Sequence, residues 1–147
     1  MKPFVLNLSR VFNVPRETVF NAWVDPKQMA KWWGPHGFSA PECRMDIRPG
    51  GEIFILMRGF GQDHPMRGVV REVKAPERFV FEATALDDKG GVLLVSLTTV
   101  TFKDLGGKTQ VDIKAEATPK QPLADGMIGG MNQGWNESLD KLDALLQ

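Results

Sequence analysis

The side chains that could do acid–base or nucleophilic chemistry are few and lie far apart along the chain. Each of the two histidines, His36 and His64, stands beside a proline or glycine, a setting typical of solvated loops. Asp63 precedes His64 and the pair could act as acid and base, but adjacency alone is weak evidence for catalysis. Cys43 has no local histidine pattern that would make it a thiolate nucleophile, so we expect a buried, inert thiol. These residues predict no catalytic site.

Three carboxylates, Asp46, Glu52 and Glu72, fall in strand-like segments and could point into a cavity. No spacing pairs them with one another, and we expect them on the solvated face of a sheet. The sequence has no HxxxH or CxxC pattern, no GxSxG elbow and no glycine-rich phosphate loop. We therefore expect neither a metal nor a cofactor.

The charge balance of the chain argues against several classes of partner. Lysine plus arginine number 18 and aspartate plus glutamate number 18, with no run of like charges, so nothing attracts nucleic acid or an anionic membrane. The single cysteine forms no internal disulfide, and no apolar run reaches the roughly 20 residues of a membrane helix. The first residues do not have the pattern of a signal peptide. We expect one domain over residues 1–147, located in the cytoplasm.

The hydrophobic periodicity changes twice along the chain. Residues 4–14 alternate as a half-buried strand, and "NVPRETVFNAWV" then has helical spacing. Asp25 and Pro26 predict the cap and first residue of a second short helix, which ends at Gly34-Pro35. From Phe38 to Thr118 the segments are strands and turns, with "GFGQDHP" interpreted as a loop.

After Pro119 and Pro122 the apolar residues return to helical spacing. They form one stripe made of Leu123, Met127, Met131, Trp135, Leu139, Leu142 and Leu146. The order of elements predicts an α+β domain with two short helices after strand 1. A curved antiparallel sheet of about six to seven strands would wrap around a long C-terminal helix. Such a curled sheet is expected to leave a cavity at one end.

Glycines recur every four residues beside this stripe, at Gly126, Gly130 and Gly134. Each costs about 1 kcal/mol relative to alanine inside a helix, so the pattern needs compensation. Close approach to the sheet, a bend or late start of the helix, and room for a ligand are three alternatives. The methionines of the stripe suit either a core or a cavity that accepts varied apolar shapes.

Two adjacent tryptophans, Trp32 and Trp33, lie in the segment "KWWGPHGF". Neighbouring helical side chains point about 100° apart, so both cannot face the same core. We expect one to point inward and the other to lie at the cavity mouth or on the surface.

The order of several segments carries a family resemblance. "VPRETVFNAWVDPKQMAKWWGP", "RPGGEIFILMRGFG", "PERFVF", "VTFKDLGGKTQV" and "GGMNQGWNESLDKLDALL" resemble single-domain relatives of the activator of the ninety-kilodalton heat-shock chaperone ATPase. That family belongs to the START-like (SRPBCC) superfamily, which shares a helix-grip fold with the birch pollen allergen. The resemblance covers essentially the whole chain and implies a hydrophobic cavity between the sheet and the long helix.

Carried over by position, the resemblance implies a set of residues around this cavity. They are Met127, Met131 and Trp135 from the helix, Ile55 and Met57 from the third strand, Phe79 and Phe81 from the fifth, and Trp33 and Phe38 near the mouth. Ser96, Thr98 or Arg71 would orient a bound molecule.

The resemblance carries no catalytic motif, and it leaves three functions open. The chain could bind a hydrophobic or amphipathic small molecule. Alternatively, it could be an enzyme of the cyclase, dehydratase or hydrolase kind, or a co-chaperone or stress-response protein. A homodimer is also open, because an apolar edge strand could pair between subunits.

Overall fold

In the computed structural model, which describes residues 3–147, seven strands and four helices are formed. The strands are β1 (Phe4–Phe12), β2 (Ser39–Met45), β3 (Glu52–Gly59), β4 (Gln62–Lys74), β5 (Arg78–Leu86), β6 (Val92–Asp104) and β7 (Thr109–Pro119). The helices are α1 (Arg16–Val24), α2 (Pro26–Trp32), α3 (Ala124–Gly129) and α4 (Met131–Leu146).

All seven strands form one antiparallel sheet in the order β1-β7-β6-β5-β4-β3-β2, so that β1 and β2 are its edges. Strand β7 alternates as the sequence predicts, with Val111, Ile113, Ala115 and Ala117 buried on one face. The helices lie on that inner face. The predicted α+β architecture is therefore confirmed, including the two short helices after β1.

The interpretation of "GFGQDHP" as a loop is wrong, because most of it is strand β4. Phe60 and Gly61 alone make the turn between β3 and β4, with φ of 54° and 76°. A two-residue turn with positive φ at both positions matches the twist of a hairpin. Pro65 lies opposite Leu56 on β3, one residue before pairing with β5 starts at Met66. A proline is tolerated there because β4 has only one neighbouring strand at that point.

Helix α2 begins as the sequence predicts. The side chain of Asp25 accepts a hydrogen bond from the backbone N–H of Lys27 at 3.0 Å, and Pro26 is the first helical residue. Helix α1 starts one residue after Pro15 and buries Val19 and Trp23 against the sheet.

The C-terminal segment is not one continuous helix. It breaks at Gly130, where φ is −94° and ψ is 0°, and α3 and α4 lie on either side. A Cβ added at Gly126 or Gly129 would meet nothing within 4 Å, so these glycines do not serve close approach to the sheet. Of the three alternatives for the glycines, the structure supports the bend. The apolar stripe is fully buried only at Leu139 and Leu142, whereas Leu123 is 74% exposed.

The core between helices and sheet is divided in two. The main cluster gathers α1, α2 and the middle of α4 over residues from all seven strands, and includes Trp23 and Trp32. A smaller cluster of Leu94, Ala117 and Ala124 joins α3 to the opposite end of β6 and β7. The break at Gly130 therefore lies where α4 passes from one cluster to the other.

Candidate functional site

A small void lies inside the main cluster, between α2 and the inner face of β2 to β5. Its volume is about 10 Å³, which is the room that a single water molecule needs. Eight side chains surround it, namely those of Met29, Trp33, Met45, Ile53, Ile55, Met66, Phe79 and Phe81. In the state described by the structure, this inner cavity is nearly filled by its own walls.

The walls of the inner cavity carry no ionisable side chain. Cys43 is paired in the sheet with Ile55, one of the lining residues, and burial raises the pKa of its thiol to about 11. A thiol with so high a pKa stays protonated at neutral pH and is a poor nucleophile. The cavity can therefore hold an apolar group, but it offers no acid, base or nucleophile to act on one.

The two adjacent tryptophans pack against the same cluster, with ring centroids 6.0 Å apart, but differ in burial. Trp32 is fully buried, and its indole N–H donates a hydrogen bond to the carbonyl oxygen of Ala22 at 2.9 Å. Trp33 is only partly buried and lines the cavity. Its ring meets those of Phe81 and Trp135 edge to face, with centroids 6.2 and 5.5 Å apart. Trp33 and Trp135 thus form the contact between the short helices and α4 on one side of the cavity.

The structure brings only part of the predicted site together. Trp33, Ile55, Phe79 and Phe81 line the inner cavity, and Trp135 contacts it through Trp33. The remaining four predicted residues, Phe38, Met57, Met127 and Met131, lie outside its lining.

Phe38 and Met57 close the loop that follows Trp33. The ring of Phe38 lies against Gly59, and the sulfur of Met57 lies against Gly34, so closely that neither glycine has room for a Cβ. The ring of Phe38 also meets that of Phe60 at 5.3 Å. These residues form a wall beside the cavity.

Met127 and Met131 belong to the other end of the inner face. Met127 is 41% exposed on α3, and Met131 packs against the smaller cluster around Leu94 and Ala117. The family resemblance implies that both methionines line the cavity, but neither side chain belongs to its lining.

Four cavity residues were missed by sequence reasoning: Met29, Met45, Ile53 and Met66. Ile53 shares a face with Ile55 because it lies two residues earlier in β3, so alternation contained that signal. Met29 precedes Trp33 by one helical turn. Met45 and Met66 belong to the lining because the strand register places them opposite Ile53 and Ile55, respectively.

Two of the polar residues predicted to orient a ligand, Thr98 and Arg71, lie on opposite faces of the sheet. Thr98 is buried on the inner face, where it lies opposite Phe81 and Ala115. Arg71 instead forms an ion pair with Glu82 on the outer face, and so does not face the cavity. A β-bulge between Val70 and Glu72 shifts the register there, which the sequence pattern did not reveal.

Two side chains of α4 hold the loop that follows Trp33. The ammonium of Lys141 donates to the carbonyl oxygens of Gly34 and Phe38 at 3.0 and 3.3 Å, and burial lowers its pKa. A carboxylate oxygen of Glu137 accepts from the backbone N–H of His36 at 3.0 Å. Hydrogen bonds from Gln133 and from this N–H lower the pKa of Glu137. These hydrogen bonds join the loop to α4, so the loop can move away from the helix only if they break.

Within residues 3–147, every helix is too short or too polar to cross a membrane. The same residues contain no cluster of three or more histidine, cysteine, aspartate or glutamate side chains placed to share a metal ion.

Comparisons with known proteins match the fold over nearly its full length. The model of the family described as Activator of Hsp90 ATPase homolog 1-like protein matches residues 13–147. A comparison with curated proteins gave no significant match.

Three solved structures illustrate the similarity. A protein from Chromobacterium violaceum is 32% identical, with a TM-score of 0.78 and coverage of 97% of this chain and 96% of the other. An uncharacterised protein from Rhizobium leguminosarum is 25% identical, with a TM-score of 0.88 and coverage of 99% and 95%. The AHSA1 protein from Silicibacter pomeroyi is 27% identical, with a TM-score of 0.78 and coverage of 97% of both chains.

Proposed function

The chain belongs to the Activator of Hsp90 ATPase homolog 1-like family, and from this premise we propose that it binds a hydrophobic or amphipathic small molecule between its sheet and α4. The observation that carries the proposal is the wall of the inner cavity. Eight apolar side chains from α2, its C-cap residue Trp33 and four strands converge on one void. Burial of apolar surface would supply the affinity, at about 25 cal/mol for each Å² removed from water.

Because the void measures about 10 Å³, a ligand must displace part of the wall. Three of the eight lining residues are methionines, whose unbranched side chains change rotamer more easily than other apolar residues. Trp33, Met45 and Met66 are only partly buried, unlike the other five lining residues, so these three side chains cost least to displace. We infer that the ligand enters past the contact between Trp33 and Trp135.

Mass spectrometry of the freshly purified protein is the first test. A mass measured under native conditions that exceeds the denatured mass reproducibly would reveal a resident ligand and allow its identification. Equal masses would show only that the cavity was empty as isolated, so a titration must follow.

The titration uses 1-anilinonaphthalene-8-sulfonate, whose fluorescence rises in apolar surroundings. We expect Met66→Trp to fill the cavity and weaken dye binding about tenfold or more. Met127→Trp is the matched control, because it adds the same ring on exposed α3, and should leave the affinity unchanged. Absence of binding to the wild type, or equal effects of the two variants, would contradict the proposal.

The two alternatives receive less support from the geometry. An enzyme of the cyclase, dehydratase or hydrolase kind needs an ionisable group beside its substrate, and the lining of the inner cavity has none. The family description names activation of a chaperone ATPase. Whether this chain has that activity is tested by measuring the ATPase rate of a purified ninety-kilodalton heat-shock chaperone with and without it. An unchanged rate at saturating protein would contradict the co-chaperone alternative.

A further inference from the structure

A second and larger hollow lies on the outer face of the sheet, across β2 to β5. Its volume is about 330 Å³, within the range of small-molecule sites in proteins, which starts at about 300 Å³. Arg44, Phe54, Arg67 and Thr84 follow one another across the four strands, as direct cross-strand neighbours. Glu52 and Glu82 lie one row away along the strands. The sheet separates this outer hollow from the inner cavity.

The ring of Phe54 is flanked by two guanidinium groups. The central carbon of Arg44 lies 4.8 Å from the ring centroid, and that of Arg67 lies 5.2 Å from it. An arginine that stacks on a ring uses the face of its guanidinium and keeps the N–H groups at its edge available. Phe54 therefore holds two sets of donors in place beside its ring.

These two arginines differ from the others on the sheet and its loops. Arg48, Arg58 and Arg71 each lie within 2.7 Å of a carboxylate oxygen, and Arg78 pairs closely with Glu72. Within residues 3–147, Arg67 has no carboxylate within ion-pair distance. The carboxylate of Glu42 lies 4.0 Å from Arg44, which is too long for a hydrogen bond.

We propose that the outer hollow binds a small organic acid, whose phosphate or carboxylate oxygens accept hydrogen bonds from Arg44 and Arg67. Planar guanidinium groups match the oxygens of either acid in two-pronged fashion. The hydroxyl of Thr84, opposite Arg67, adds a further donor. The hollow has the volume of a metabolite rather than of a polypeptide segment.

The two carboxylates beside the hollow set the orientation of the ligand. Glu82 is neutralised by Arg71, whose nitrogen lies 2.6 Å from its oxygen. Glu52 forms no ion pair with any residue from 3 to 147, so it repels an acid group and favours a hydroxyl or amino group of the ligand. The acid then lies in the row of Arg44, Phe54 and Arg67, and the hydroxyl or amino group lies one row along the strands, beside Glu52.

Amide chemical shifts of the labelled protein, followed during titration at constant ionic strength, test the proposal. Phenyl phosphate and benzoate are the probes, and benzamide, which has the shape of benzoate but no charge, is the comparison. We expect the two acids to shift the amides of Phe54, Arg67 and Val69 saturably, and benzamide to leave them in place. Equal binding of benzamide, or shifts that do not saturate, would overturn the proposal.

Variants of residues on the outer face of the sheet distinguish a specific binding site from nonspecific electrostatic attraction. Arg67→Gln should weaken phenyl phosphate binding about tenfold, the value of one charge-assisted hydrogen bond. Glu52→Gln should strengthen it by removing repulsion. The matched control is Arg58→Gln, because Arg58 is engaged by Asp63 outside the hollow, and it should change nothing. If Arg58→Gln and Arg67→Gln weaken binding equally, the attraction is nonspecific and the site does not exist.

Phe54 provides a last check on how the arginines are held. Phe54→Leu keeps an apolar side chain but removes the ring, and should weaken phenyl phosphate about as much as losing one arginine. Unchanged affinity in this variant would show that stacking does not organise the donors, and would overturn the assigned geometry. None of these probes depends on the inner cavity, so failure here and failure of the proposed function are distinguishable.

Discussion

The indole rings of Trp23 and Trp32 meet edge to face with centroids 4.7 Å apart, yet only one of them has a partner for its N–H. The N–H of Trp32 donates to Ala22, whereas within residues 3–147 that of Trp23 reaches no acceptor although both rings are fully buried. A buried donor without a partner costs about 1–3 kcal/mol. Two neighbouring residues of the same type therefore contribute differently to stability.

Replacing each of these tryptophans by phenylalanine should expose the difference. Both changes lose ring volume, but Trp32→Phe also loses a hydrogen bond, and Trp23→Phe removes an unsatisfied donor. We expect Trp32→Phe to lower the free energy of unfolding by about 1–3 kcal/mol more than Trp23→Phe. Urea denaturation measures both. Equal losses would show that the N–H of Trp23 is satisfied in solution.

The hairpin tip contains a strained residue. Phe60 adopts the left-handed backbone conformation, with φ of 54°. Its side chain is 83% exposed, so burial of the ring offsets little of this strain. Phe60→Asn should raise the free energy of unfolding by about 1 kcal/mol, because asparagine tolerates this turn. Phe60→Ala is the control: it removes the ring but keeps the strain, and should not stabilise. A gain with alanine would locate the strain in the ring instead.

Local patterns were enough to predict most of the fold. The alternation of β7 and the cap formed by Asp25 and Pro26 depend on nearby residues only, and both are as predicted. The start of β4 was missed because Gly61 and Pro65 are ordinarily strand breakers. Here a two-residue turn needs the glycine, and a single neighbouring strand tolerates the proline.

The candidate site was less predictable because it depends on contacts between distant segments. Met45 and Met66 reach the cavity only through pairing with Ile53 and Ile55, which no periodicity within their own strands specifies. Arg44 and Arg67 likewise meet at Phe54 through the register of three strands. The family resemblance implied Met131 at the cavity, but its contacts with the distant residues Leu94 and Ala117 place it in the smaller cluster.

Cys43 should make stability depend on pH in the alkaline range. Burial, with a contribution from the charge of Asp25, raises the pKa of its thiol from 9.0 to about 11. The folded protein thus holds this proton more tightly than the unfolded chain does. The resulting stabilisation is fully present below pH 9 and is lost as pH rises towards 11. Relative to Cys43→Ala, the wild type should lose stability across this window in urea denaturation at successive pH values.

The pH dependence of alkylation measures the same pKa. The rate of reaction of Cys43 with iodoacetamide should reach half its maximum near pH 11 in the folded protein and near pH 9 in urea, because the thiolate is the reactive form. The same midpoint in the two states would contradict the raised pKa.

Lys141 should stabilise the loop after Trp33 more than it stabilises the whole fold. Lys141→Met removes the hydrogen bonds to Gly34 and Phe38 and should lower the free energy of unfolding by about 1–2 kcal/mol. The amide of Phe38, which donates to Pro35 within the loop, should exchange with solvent faster in this variant. Unchanged exchange would mean that the contacts of Phe38 and Met57 hold the loop without Lys141.

Gly126 in α3 separates the stability of the fold from the proposed binding. A Cβ at Gly126 would meet open space, so Gly126→Ala should raise the free energy of unfolding by about 1 kcal/mol through helix propensity alone. Helix α3 packs on the smaller cluster, whereas the proposed entry lies between Trp33 and Trp135. The same change should therefore leave the association rate of 1-anilinonaphthalene-8-sulfonate unchanged in stopped-flow measurements. Slower association would show that α3 must loosen before a ligand can enter, and would contradict entry past Trp33 and Trp135.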